Sequence, residues 1–84
     1  MTEAEGAVAN EIRRIARDEL RLAVVGGDEE ELAATLDSLA LLSLVVAVED
    51  RFRVALTEED AARTRSLADL ARLVAKRAAA EVLP

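Results

Sequence analysis

The stretch Leu36-Asp37-Ser38-Leu39-Ala40-Leu41-Leu42-Ser43-Leu44-Val45-Val46-Ala47-Val48-Glu49-Asp50-Arg51-Phe52 decides the fold. It predicts a long helix beginning at Asp37 or Ser38 and running to about Arg51. Asp37 suits the N-cap, because its carboxylate accepts from backbone N–H groups that have no partner in the first turn. Leu42, Val45, Val48 and Phe52 recur at helical spacing, and Leu44 and Val46 widen the apolar surface beyond one stripe. The helix is therefore expected at the centre of a bundle, touched on more than one side. Ser38 falls at the positive end of this helix. Free N–H groups and the dipole there suit a phosphate-linked group. Taken alone it is an ordinary helix-start serine, and Asp-Ser-Leu is a weak signal.

Upstream, Thr2 and Glu5 form a capping-box pattern opening a helix over residues 3–22, with Val8, Ile12, Ile15 and Leu22 on one face. Gly26-Gly27 is expected to end it. A loop over residues 24–36 follows, with room for a short helical turn and with Leu32 and Leu36 placed to fasten it to the body. Downstream, alternation over residues 52–56 predicts a short extended connector. Thr57 with Asp60 caps a brief helix over residues 58–63, and Ser66 with Asp69 caps a last one. There Leu67, Leu70, Leu73, Val74 and Ala78 are expected inward. Lys76 and Arg77 are expected near the C-terminal end, complementing its dipole. The fold class is all-α: one domain over residues 1–84, a small bundle of three long helices plus one short helix, with a long loop between the first two. Such a bundle hosts many functions and names none.

Composition narrows the choice. Of the 84 residues, 52% are hydrophobic, mostly Ala, Leu and Val, with Phe52 the single aromatic. That supply favours helices over a β-sandwich. The chain has no cysteine and no histidine. No disulfide, no zinc-type Cys/His cluster and no Ser-His-Asp triad can be built, and so small a body has little room for a closed substrate pocket. An enzyme is not expected. The net charge of −6 argues against nucleic acid and anionic membranes. The nearly uncharged run over residues 39–48 is too short to span a bilayer, and the acidic N-terminus lacks the order of a signal peptide. The expected location is cytoplasmic.

The wider register decides the reading of Ser38. Asp37-Ser38-Leu39 is followed by Leu42, Leu44, Val45 and Val48, then Glu49-Asp50, Phe52, Val54, Leu56, Glu58-Glu59, and Ser66-Leu67 opening the last helix. This order resembles the acyl carrier protein family, including its peptidyl carrier relatives, without gaps from Asp37 to about Val74. The resemblance implies that Ser38, flanked by Asp37 and Leu39, takes a covalent 4'-phosphopantetheine arm from coenzyme A, and that the arm's thiol carries acyl groups as thioesters. The implied partners are a phosphopantetheinyl transferase and acyl-loading or acyl-processing enzymes such as a ketosynthase or acyltransferase. These would meet a monomer at Leu39, Leu42, Glu49, Asp50, Glu58 and Glu59. The histidine often found before the serine in peptidyl carriers is Asp37 here, which favours an acyl carrier over an aminoacyl or aryl carrier. A helical interaction domain without a prosthetic group is the reading from another class.

Departures from the family pattern bear on cargo. Thr35 stands where glycine is usual. Ala40 and Ser43 stand where fatty-acid carriers often have acids, and Thr64 where an aliphatic residue usually lines the acyl cavity. These point away from ordinary fatty acid biosynthesis and towards polyketide or other specialised biosynthesis. The small Ala47, Ala68 and Ala71 are compatible with an interior that admits an acyl chain and equally with close helix contact. Residues 28–60 hold ten acids against Arg51 and Arg53, whereas residues 61–84 are net basic. Acids near Ser38 would steer partners bearing Lys/Arg patches. The same acids also serve as caps and solvating groups, above all in the 28–31 run, which lacks the alternating ligands of a calcium loop.

Overall fold

The computed structural model describes residues 2–23, 27 and 29–82, with side chains as far as residue 78. Helix α1 covers Glu3–Arg14 and continues as a π turn over Ile15–Glu19. A 3-10 turn at Leu32–Ala34 precedes α2 over Ser38–Phe52, α3 over Glu58–Arg63 and α4 over Leu67–Val82. The expected all-α bundle of three long helices and one short one is present, and no strand is formed by the described residues.

Each start follows from local chemistry. Thr2 Oγ1 accepts from the Glu5 N–H at 3.1 Å while Glu5 accepts from the Thr2 N–H at 2.9 Å, closing the expected capping box. Thr57 and Asp60 make the same reciprocal pair at α3. At α4 the Ser66 hydroxyl accepts from the Asp69 N–H, and the Asp69 carboxylate accepts from the N–H groups of Arg65 and Ser66.

The first helix ends earlier than the glycine pair suggested. The π turn adds a residue to the winding, so the Leu20 N–H reaches the Ile15 carbonyl at 3.0 Å. Arg21 then turns left-handed at φ 56°, and the Leu22 N–H closes on Ala16 at 2.7 Å. Leu22 is partly buried beyond the helix rather than on its face. The connector is likewise not extended throughout: Phe52 is the last residue of α2, and Arg53 turns left-handed at φ 57° to redirect the chain.

The core joins Ile12 and Ile15 of the first helix, Leu32 and Leu36 of the loop, Leu44 and Val48 of α2, Val54 of the connector, and Leu67, Leu70, Ala71 and Val74 of α4. The pairing of α1 with α4 is the most extensive between helices. Ala68 and Ala71 are fully buried, so small side chains here serve close packing. Two expectations are corrected. Leu42 is not core; it is 60% exposed, and Leu44 is the leucine that α2 buries. Leu73 is only half-buried. Periodicity misled because residues 39–48 are apolar nearly all round. Lys76 and Arg77 also lie short of the helix end, since α4 continues to Val82.

Candidate functional site

Asp37, in extended conformation, accepts from the Ala40 N–H at 2.8 Å and places Ser38 as the first residue of α2. The first intrahelical bond runs from the Leu41 N–H to the Asp37 carbonyl. The N–H groups of Ser38 and Leu39 precede it and remain available to an anion.

The chain's three serines are in different situations. Ser66 is buried and caps α4. Ser43 is exposed, but its hydroxyl donates to the Leu39 carbonyl at 3.0 Å. Ser38 is exposed, and no hydrogen bond among the described residues engages its hydroxyl. Ser38 therefore presents an exposed, unengaged hydroxyl at a capped helix start.

The end of the loop that leads to it, residues 31–36, is firmly seated; residues 24–26 and 28 lie outside the described residues. Leu32 and Leu36 are buried, as expected, and the Leu36 N–H donates to the Leu32 carbonyl at 2.8 Å. The Leu32 N–H donates to the Arg65 carbonyl, and Glu31 forms an isolated bridge with Ser66, tying the loop to the α3–α4 corner. Thr35 has φ −120°, a conformation that needs no glycine, and its hydroxyl donates to the Leu32 carbonyl. The threonine thus fits the local backbone.

Beside Ser38 lies an open groove of about 220 Å³, lined by Ser38, Leu41, Leu42 and Val45 of α2 and by Ala61 and Thr64 on the α3 side. A neighbouring groove shares Leu41 and Thr64 and extends to Ala33, Glu31 and Arg65. The Thr64 hydroxyl donates to the Asp60 carbonyl at 2.9 Å. Its polarity is spent within α3, so this departure from the family pattern weighs less against an apolar cargo than the residue type alone suggested.

The other singled-out residues separate into two groups. Leu39, Leu42 and Val46, exposed by 73%, 60% and 54%, form a stripe at i, i+3 and i+7 on the outer face of α2, starting next to Ser38. The sequence pattern marks Val46 only as part of a broadened core surface. Asp50 is exposed at the far end of the helix, and Glu58 is exposed on α3. Glu49 has an internal duty: it accepts from the Leu56 N–H at 2.8 Å and holds the connector. Glu59 pairs with Arg63 at 2.6 Å, and Glu29 with Arg72 at 2.8 Å. Asp28 lies outside the described residues.

The described residues thus form a small helical bundle with an unengaged serine hydroxyl at a capped helix start, beside an open groove. The family model described as a phosphopantetheine attachment site matches residues 10–74, more than half of the chain, and the chain belongs to that family of acyl-carrier-type domains. Members bear 4'-phosphopantetheine covalently and work with a phosphopantetheinyl transferase and biosynthetic enzymes; the domains are carriers rather than catalysts themselves. Comparison with curated proteins and with solved structures returned no match. No described helix is long and apolar enough to cross a membrane.

Proposed function

We propose that Ser38 is the attachment serine and that this chain carries acyl intermediates as thioesters in polyketide or another specialised biosynthesis. The observation that carries the assignment is the free, exposed Ser38 hydroxyl at the start of α2, with Ser43 and Ser66 both engaged. In the attachment step the Ser38 oxygen bonds to the phosphorus that bears the pantetheine of coenzyme A. The pyrophosphate bond breaks, 3',5'-ADP leaves, and the serine proton passes to the transferase. The N–H groups of Ser38 and Leu39 would then lie near the phosphodiester. The carrier supplies position and no chemistry of its own.

The preference for specialised biosynthesis rests on α2. Its first ten residues after Asp37 carry no charge, and Ala40 and Ser43 stand where fatty-acid carriers often have acids. Leu39 and Leu42, with Val46, would meet the transferase and a ketosynthase or acyltransferase through apolar contact. Asp50, Glu58 and Glu59 would contribute charge at the periphery. Glu49 is a poor probe of docking, because its replacement also removes the acceptor for the Leu56 N–H.

The test is intact mass after incubation with coenzyme A and a broad-specificity phosphopantetheinyl transferase. A gain of one phosphopantetheinyl unit, lost in Ser38→Ala, is expected. No gain with several transferases would leave a helical interaction domain as the better reading.

A further inference from the structure

Helix α3 forms one wall of the groove beside Ser38, yet none of its six residues is buried. The core that seats α1, α2 and α4 does not extend into it. Among the described residues, the side-chain hydrogen bonds from α4 to the start of α3 come from one residue, Arg77. Arg77 donates through Nη2 to the Asp60 carboxylate at 3.1 Å and through Nη1 to the Ala55 carbonyl at 3.0 Å. The two acceptors lie on either side of the α3 start, one in the connector and one in the helix's first turn. A planar guanidinium serves both at once, which a lysine ammonium does less well.

Asp60 is itself bound into the α3 cap. Its carboxylate accepts from the Thr57 N–H at 2.9 Å, and its own N–H donates to Thr57 Oγ1 at 3.0 Å. Its carbonyl accepts from the Thr64 hydroxyl, and Thr64 is the groove-lining residue at the other end of α3. A continuous set of hydrogen bonds thus runs from Arg77 through Asp60 to the groove wall.

We propose that Arg77 is a positioning residue that clamps α3 against the body and so sets the width of the groove beside Ser38. Without the clamp, α3 retains its cap but loses the Arg77 hydrogen bonds that tie its start to α4, and the Ala61–Thr64 wall swings away from Leu42 and Val45. The groove matters to function only if Ser38 carries its arm, as proposed above; the clamp itself is measurable on the unmodified chain, so the two ideas can fail separately.

The experiment is amide hydrogen exchange by NMR on the full unmodified chain. The reporters are Ala61 and Thr64, whose N–H groups bond within α3, with Val48 in the core as reference. In Arg77→Gln, exchange at Ala61 and Thr64 is expected to rise at least fivefold relative to Val48, and methyl NOEs from Ala61 to Val45 should weaken. Arg77→Lys should fall between the variant and wild type, since it keeps the charge opposite Asp60. An unchanged Ala61/Val48 ratio would overturn the proposal. So would equal acceleration at Val48, an absence of protection at Ala61 and Thr64 in the wild type, or a lysine variant no better than glutamine.

Discussion

The side of the molecule where α1 meets α4 and the side where α3 closes on α2 are built by different chemistry. The first buries Ile12, Ile15, Leu67, Leu70 and Val74 completely or nearly so. The second buries nothing from α3 and relies on caps and the Arg77 bonds. Apolar burial is non-directional and strong in sum, whereas exposed polar ties are individually weak and local. The contrast teaches where rigidity and adjustability lie. Ser38 stands at their junction, on a helix anchored by Leu44 and Val48 but beside a groove whose far wall is held by hydrogen bonds.

Breaking the apolar side should have the largest effect. Ile12→Ala leaves a cavity at a fully buried site between the first helix and its neighbours. A loss of about 3 kcal/mol is expected by chemical denaturation, a large share of a domain this small. A loss below about 1 kcal/mol would show that the α1–α4 side is not the stabilising frame.

A smaller, pH-dependent effect distinguishes the polar ties between α1 and α2. Glu11 accepts from Arg14, and Arg51 reaches across from α2 to the same carboxylate at 2.8 Å. The Arg14 hydrogen bonds, followed by those from Arg51, draw the Glu11 carboxyl down from an ordinary 4.5 to about 2. A depressed folded value means that the ionised form favours folding. The contribution is fully present above the unfolded value and fades as pH falls from about 4.5 towards 2. Thermal melts should show wild type above Glu11→Gln at pH 6, with the gap closing as pH approaches 2. A gap independent of pH would mean that the ion pairs contribute nothing.

The smallest stability change is expected on the outer face of α2. Leu42→Ala should alter stability by no more than about 0.5 kcal/mol, because the side chain is already exposed. Under the proposed docking role it should still lower transferase kcat/KM by roughly fivefold, about 1 kcal/mol of lost apolar contact. Unchanged kcat/KM would remove Leu42 from the docking surface.

Much of this architecture was legible because it is written locally. Thr2, Thr57 and Ser66 each announce a helix start through an acidic partner three positions on, Asp37 does so by its own carboxylate, and all four caps are formed. The facing of α2 was not legible. Where Leu39, Leu41, Leu42, Leu44, Val45 and Val46 are all apolar, periodicity cannot choose the buried side, and only packing against the π turn and the loop selects Leu44 over Leu42. Long-range polar partners were equally hidden. Nothing in the sequence marks Glu49 as the acceptor for Leu56 or Arg77 as the partner of Asp60, because those bonds exist only once the connector has turned at Arg53. The π turn at Ile15–Glu19 was hidden too: Ile15 and Leu22 fit an α-helical period in sequence, and the extra residue in the winding appears only in the fold.

The most direct test of the account is site-resolved fragmentation of the modified protein. After transferase treatment, peptides containing Ser38, Ser43 and Ser66 are sequenced by tandem mass spectrometry. The phosphopantetheinyl group is expected on Ser38 alone. Modification of Ser43 or Ser66, or modification that persists in Ser38→Ala, would contradict it.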